Sequence, residues 1–444
     1  YHRGVYTTHH NIKQRNAQLE RKLSEAECAV ARCIANRTIS SDIRESCREI
    51  DEAWLLVLRN QFHDVLPGTS IAEVYGDVHQ EYDRAERLIE RVMRRAYDVI
   101  PPSGVAESRC VVPEAIAGGA YLFHNGLIEA RVLADGSIDL LRTSGGPNVA
   151  SRANLLTLYR DVPREWDAWN IDADYRNQKW LPRIERCTVD GDTLVVQLIF
   201  GKSRFTMCVC LREREPFLRI TLKGDWSERH TLLRCENALI VDTDRVIYGT
   251  PHGTIERSSL AQTPQERAKF EVPGQRFAVA RSQQGGTAVF SLDTYGWSAS
   301  RDGRGLHLGH SLLRSPMWPQ RDADAGSQML TYALAPLDNA SLADVERLWL
   351  RFAEQTACTL FEIDQRNVLV VACKPTHEGD RAIVRIRECD GVACRARVRC
   401  EQRFTSVERV NALEERIDRI ASNDDASFEA AVSPYELQSF RVQF

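Results

Sequence analysis

The chain of 444 residues is too long for one simple core, so two or three domains are expected. Its 43% hydrophobic and 27% charged residues are those expected of an ordinary soluble globular protein. The formal net charge is −4 and no apolar run approaches a membrane span, so neither nucleic acid nor a membrane is expected as partner.

The 13 cysteines are odd in number and form no CxxC pair, which argues against a disulfide framework or a cysteine-zinc site. Reduced thiols in a cytoplasmic protein are expected. Cys208 and Cys210, two apart on a strand, read as small core residues. The chain opens Tyr1-His2-Arg3-Gly4, with no methionine and no signal peptide, as if cut from something longer.

Residues 1–102 read as three long amphipathic helices with short connections, an antiparallel bundle. The first runs from near Thr8 to about Ile34, with Ile12, Leu19, Leu23, Ala26 and Val30 on one face. Asp42 with Glu45 is read as the cap of the second, whose apolar stripe continues through Ile50, Trp54, Val57 and Phe62 to Val65. The third spans about Ile71 to Ile100 and ends at Pro101-Pro102. Arg and Glu on the outer faces read as a solvated surface, and His9-His10 as solvent-facing.

Beyond Pro101 the hydrophobic period changes from 3.6 to 2. Thr193 to Phe200, Arg204 to Arg212, Phe217 to Leu222, Ala288 to Leu292, Met329 to Leu334, Val368 to Cys373 and Ala382 to Ile386 read as strands. Turns such as Asp190-Gly191-Asp192 and Asp390-Gly391 separate them. With no βαβ pattern, a large antiparallel sandwich over 103–355 and a small β domain over 356–444 are expected. A helix from Ser341 to Gln355 links the two. The fold class is α+β, multidomain. His307 and His310 lie three apart on a strand, face opposite sides and make a poor metal pair.

The stretch Asn60-Gln61-Phe62-His63-Asp64-Val65-Leu66-Pro67-Gly68-Thr69-Ser70-Ile71 carries the chemistry. A His-Asp pair ends an apolar helical run, Pro67-Gly68 stops the helix, and Ser70 with Glu73 reads as a capping box opening the next. A pair held at such a corner suits a metal ligand or a substrate clamp, or it simply satisfies the turn. Trp166-Asp167-Ala168-Trp169-Asn170-Ile171-Asp172 offers indole faces and carboxylates of the kind that hold a sugar, or an aromatic seam between domains.

The corner resembles the NQFHD-[IV]-LPG-[ST] segment of glycoside hydrolase family 38, the retaining α-mannosidases. Other stretches resemble that family in the same order: Tyr1 to Thr8, Phe123 to Gly126, Trp166 to Asp172 with Asn170 in place of an aspartate, Asp225 to His230, Gly253 to Arg257, Phe270 to Pro273 and Leu312 to Pro316. The resemblance implies a three-helix bundle, a β super-sandwich of galactose-mutarotase-like form and a small terminal β domain. It implies hydrolysis of terminal α-D-mannosides, with His63 as one of four zinc ligands and Asp64 as a sugar contact. Arg314 is a further substrate contact it suggests, with an ion pair as the alternative, and Trp166 and Asp167 of the aromatic cluster are expected beside it, with an interdomain seam as theirs.

Two departures matter. The family's GxHxFTYALxPH string appears as Gly326 to Leu337, with Gln328 and Leu337 where histidines stand. Nothing here supplies the family's N-terminal barrel, which carries the other zinc ligands, the nucleophile and the acid/base. One histidine holds zinc poorly, and one carboxylate cannot run retaining hydrolysis. The expectation is a chain inactive by itself, with the missing barrel and a mannoside as partners and self-association possible. A non-catalytic carbohydrate-binding or assembly subunit paired with a separate barrel chain is the rival, and a degenerate scaffold a third reading.

Overall fold

A computed structural model of the chain describes residues 2–38, 40–101, 109–303, 305–355, 360–424 and 426–444. They gather in two compact units: Tyr1–Gln14, His63–Tyr75 and Ala106–Asn339 form one, and Arg15–Phe62, Gly76–Val105 and Ala340–Phe444 the other. The corner His63–Tyr75 thus clusters with the stretch that carries the sandwich. Tyr1, Pro102 and the expected boundaries after Pro102 and Gln355 fall on or beside residues outside the described ones.

The expected bundle corresponds to α1 (His10–Ala35), α2 (Ser41–Arg59) and α3 (Ala72–Val99). Their three- and four-residue apolar spacing sends Leu19, Leu23 and Val30, then Ile43, Ile50 and Val57, then Leu88, Ile89 and Val92 into the core. α2 stops at Arg59 rather than running to Val65. Asn60 closes it, its side-chain amide donating back to the Leu56 carbonyl at 2.9 Å, and residues 60–68 follow as turns. The cap of α2 is Ser40, whose hydroxyl accepts from Ile43 N, not Asp42. Some outer-face charges are enclosed: Glu49 is buried and accepts from Arg91 Nε at 2.9 Å and Arg95 Nη1 at 2.8 Å.

The larger part of the first unit is two antiparallel sheets, of 10 and 9 strands among the described residues. Alternation along each strand buries one face. Leu156, Leu158, Leu198, Met207, Ile220, Trp226 and Leu330 belong to one continuous core. Cys208 and Cys210 lie on the opposite face of their strand from Met207 and Val209, half-buried, so they are not core residues. In the second unit a 4-stranded and a 5-stranded sheet, counted among the described residues, enclose Val384, Val398, Phe428 and Phe440, against which Ala31 and Ala35 of α1 pack. The helix Leu342–Phe352 opens with a capping box between Ser341 and Asp344. Among the described residues no helix is long and apolar enough to cross a membrane.

Three neighbouring strands of the 10-stranded sheet bring distant parts of the chain to one edge. Thr231–Leu239 lies between Ala150–Arg160 and Gly305–Arg314, with Thr231 opposite Arg160 and Leu232 opposite Arg314. Asp161, His230 and Arg314 thus stand at one end of the sheet, where the loops that begin at 161 and 315 leave it.

Candidate functional site

At that end Arg314 is fully enclosed. Its Nε donates to Asp161 Oδ2 at 2.5 Å, and its Nη1 donates to Thr8 Oγ1 and to the Ala168 carbonyl, each at 3.0 Å. Its Nη2 donates to the Asn170 carbonyl. The expectation of a sugar contact is corrected here: with its donors turned into the protein and no surface exposed, Arg314 ties the N-terminal segment to the 161–172 loop. Asp167 is likewise a brace. Its Oδ2 accepts from His230 Nε2 at 3.1 Å and from Met317 N at 2.5 Å, while Oδ1 is enclosed without a partner. Trp166 reaches furthest into solvent, 58% exposed.

The N-terminal segment carries this framework to the head of α1. Gly4 N donates to the Trp169 carbonyl at 2.7 Å. The Asp324 carboxylate, itself buried, accepts from His9 N at 2.8 Å and His10 N at 2.7 Å, a cap that favours negative charge at a helix N-terminus. Both histidines are buried, correcting the solvent-facing expectation. His10 Nδ1 lies 3.0 Å from Gln328 Oε1 and Nε2 3.1 Å from Asp293 Oδ1. Desolvation pulls the His10 pKa down, but Asp293 and Gln328 outweigh it and leave it raised. Gln328 also donates to Asn11 Oδ1 and the Asp324 carbonyl, so a hydrogen-bonded network survives at that position. The other expected histidine position is Leu337, a buried residue.

From the head of α1 the framework reaches the corner. Lys13 is buried, and its Nζ donates to the carbonyls of Thr8, Leu66 (2.9 Å) and Pro67 (3.2 Å). Burial lowers its pKa, opposed by Asp324. Gly68 (φ +89°) lies so close to this segment that a Cβ would sit 2.6 Å from Thr8 O and 2.7 Å from His9 Cβ. Tyr75 donates to the Val65 carbonyl at 3.3 Å and packs on the His9 ring. The Ser70 hydroxyl donates to the Asp64 carbonyl at 2.7 Å, and α3 begins two residues on at Ala72.

On this braced turn His63 and Asp64 face outward, their side chains 77% and 48% exposed, with His63 Nε2 3.4 Å from Asp64 Oδ2. Among the described residues no group of three or more His, Cys, Asp or Glu is placed to hold a metal ion. The donor set at the corner, one imidazole and one carboxylate, therefore does not complete a zinc site. His307 and His310 do face opposite ways. His307 lies 3.3 Å from Asp302, whereas His310 is buried and stacked on Trp297 with ring centroids 4.0 Å apart. Lys13, Asp324 and Trp318 are functional candidates that the sequence does not flag. Their roles depend on partners distant in the chain, and only Trp318, next to the Leu312–Pro316 string, has a local signal.

Three family models match: the α-mannosidase middle domain over residues 1–100, the glycosyl hydrolase family 38 C-terminal domain over 123–322, and the family 38 C-terminal β-sandwich domain over 367–440. The chain is 26% identical over 400 residues to human α-mannosidase 2C1, covering 76% of this chain and 38% of that protein. It is 26% identical over 396 residues to the α-mannosidase of Saccharomyces cerevisiae, covering 78% of this chain and 36% of that protein. The chain thus spans less than two-fifths of the length of these relatives. An α-mannosidase structure from Enterococcus faecalis V583 shares the fold, with a TM-score of 0.79 at 12% identity over 99% of this chain and 68% of that one. The chain belongs to glycosyl hydrolase family 38, of which it carries the middle and C-terminal domains.

Proposed function

We propose that this chain is part of a retaining, zinc-dependent α-mannosidase acting on terminal α-D-mannosides, with its catalytic carboxylates on a domain outside these 444 residues. The observation that carries the reading is the outward-facing His63–Asp64 pair on a turn held by Lys13, Tyr75 and Gly68. A side-chain pair so mounted is preorganised to complete a site built largely elsewhere. His63 would supply one zinc ligand and Asp64 an acceptor for a sugar hydroxyl. Bound zinc would polarise and anchor sugar oxygens. Retention needs two carboxyl groups about 5 Å apart, and the corner offers only Asp64, so both would come from the further domain. The compartment we propose is the cytoplasm, on the reduced state expected of the thiols.

The rival is a carbohydrate-binding or assembly subunit that never meets a catalytic domain in its own chain; the incomplete donor set at the corner favours it equally. Hydrolysis of an aryl α-mannoside by this chain alone, and by a longer protein containing it, separates the readings. The proposal expects turnover with retained anomeric configuration from the longer protein only. Absence of turnover from both, with mannoside binding kept, would favour the subunit.

A further inference from the structure

Arg257 stands on Gly253–Ser258, the outermost strand at one edge of the 9-stranded sheet among the described residues. The neighbouring strand Arg245–Thr250 sets Val246 opposite Arg257 and Tyr248 opposite Ile255. Tyr248 therefore lies diagonally across the ladder, and its buried ring takes the Arg257 guanidinium, with Cζ 4.9 Å from the centroid. Arg257 itself is half-buried. A guanidinium drawn out of water is ordinarily offset by a carboxylate. Here none of its N–H donors meets an acceptor among the described residues. Nη1 is enclosed without a partner, whereas the Nε–Nη2 edge is not enclosed and stays open to a ligand. Burial lowers the Arg257 pKa, opposed only by the phenols of Tyr248 and Tyr6. Arg234 is the contrast: burial lowers its pKa too, but Glu271 and its other partners raise it.

The N-terminal segment brings two more donors. Arg3 Cζ lies 4.4 Å from the Phe270 ring centroid. Its Nε donates to the Ala268 carbonyl at 3.1 Å, and its Nη2 to the same oxygen, which leaves Nη1 for another acceptor. Burial raises the Tyr6 pKa, Arg3 and Arg257 pull against it, and Glu271 adds to it. The phenol thus stands near both guanidinium groups. The carboxylates close by in the chain are already engaged. Glu271 Oε2 accepts from Arg234 Nη1 and Oε1 from Ser311 Oγ, each at 2.5 Å. Glu256 pairs with Arg245 at 3.1 Å, and Glu266 closes a capping box with Thr263.

We propose that Arg257, Arg3 and Tyr6 form an oxyanion-binding site that takes a phosphate group on the Nε–Nη2 edge of Arg257, with Arg3 Nη1 and the Tyr6 hydroxyl as further donors. The side-on edge of a guanidinium matches two oxygens of a phosphate or a carboxylate. Phosphate is favoured because two positive groups face the ligand, and a dianion gains from both. The site uses no residue of the His63 corner and does not depend on the function proposed above.

The test is calorimetric titration of the 444-residue chain with inorganic phosphate and, separately, with acetate, at low ionic strength where exposed charges are least screened. Saturable phosphate binding below about 10 mM is expected. It weakens about tenfold or more in Arg257→Met and less in Tyr6→Phe. Arg257→Lys falls between, because it keeps the charge without the fork. Without phosphate, Arg257→Met should melt no lower than the parent, since it keeps the stem and removes a charge that no carboxylate offsets. Added phosphate should raise the melting temperature of the parent and not of this variant. A lower melting temperature in Arg257→Met with phosphate binding unchanged would make the guanidinium structural and overturn the proposal. Acetate bound as tightly as phosphate, with the same loss in Arg257→Met, supports the site and overturns its preference for phosphate. No saturation with either anion overturns the site.

Discussion

The Lys13 ammonium donates to the backbone carbonyl of Leu66 at 2.9 Å, and through this bond a residue of α1 fixes the turn on which His63 and Asp64 stand. The same group serves Thr8 and Pro67. Lys13→Met keeps the stem and removes the donor, leaving three carbonyls short of a partner. A loss of about 2–4 kcal/mol in urea unfolding is expected, with faster proteolysis within residues 63–68. An unchanged unfolding midpoint would contradict the role given to Lys13.

Gly68 secures the same turn by close approach. In Gly68→Ala the new methyl meets the Thr8 carbonyl and the His9 side chain in a backbone conformation that alanine avoids. A destabilisation of about 2 kcal/mol or more is expected, read from thermal or urea unfolding. Alanine accepted within about 0.5 kcal/mol would mean that the segment yields easily.

His310 gives the acid limb of stability. Burial, helped by Arg234, lowers its pKa to about 3, and its face lies on Trp297. The unfolded chain binds this proton first, near pH 6.5. The contribution is therefore full above about pH 6.5 and falls by about 1.4 kcal/mol per pH unit as pH drops toward 3. His310→Gln can keep a polar partner for Thr294, which lies 2.6 Å from His310 Nε2, and removes this slope. Identical pH dependence in the two proteins between pH 6.5 and 4.5 would refute the assignment.

These residues mark what a sequence shows and what it does not. The strand Thr193–Phe200 is placed by alternation alone, and the apolar spacing of α1 to α3 reads directly as a bundle, because both signals are local. His9 and His10 look like surface residues for the same reason: what buries them, Asp293, Asp324 and Gln328, lies some three hundred residues further on. Arg314 carries a sugar-binding look in its motif, yet its partners Asp161 and Thr8 become visible only once strand ends are aligned. The end of α2 is hidden because the apolar period continues past Asn60, although that side chain turns back to close the helix.

His63 carries the central claim, and its side chain is mostly in solvent. His63→Ala should leave the stability of this chain within about 0.5 kcal/mol. The direct measurement is zinc content together with aryl α-mannoside turnover of a longer protein containing these residues, with and without His63→Ala. The account predicts that the substitution lowers zinc content and cuts turnover about a hundredfold or more. Full zinc and full turnover in the variant, or stoichiometric zinc and turnover by the 444-residue chain alone, would contradict it.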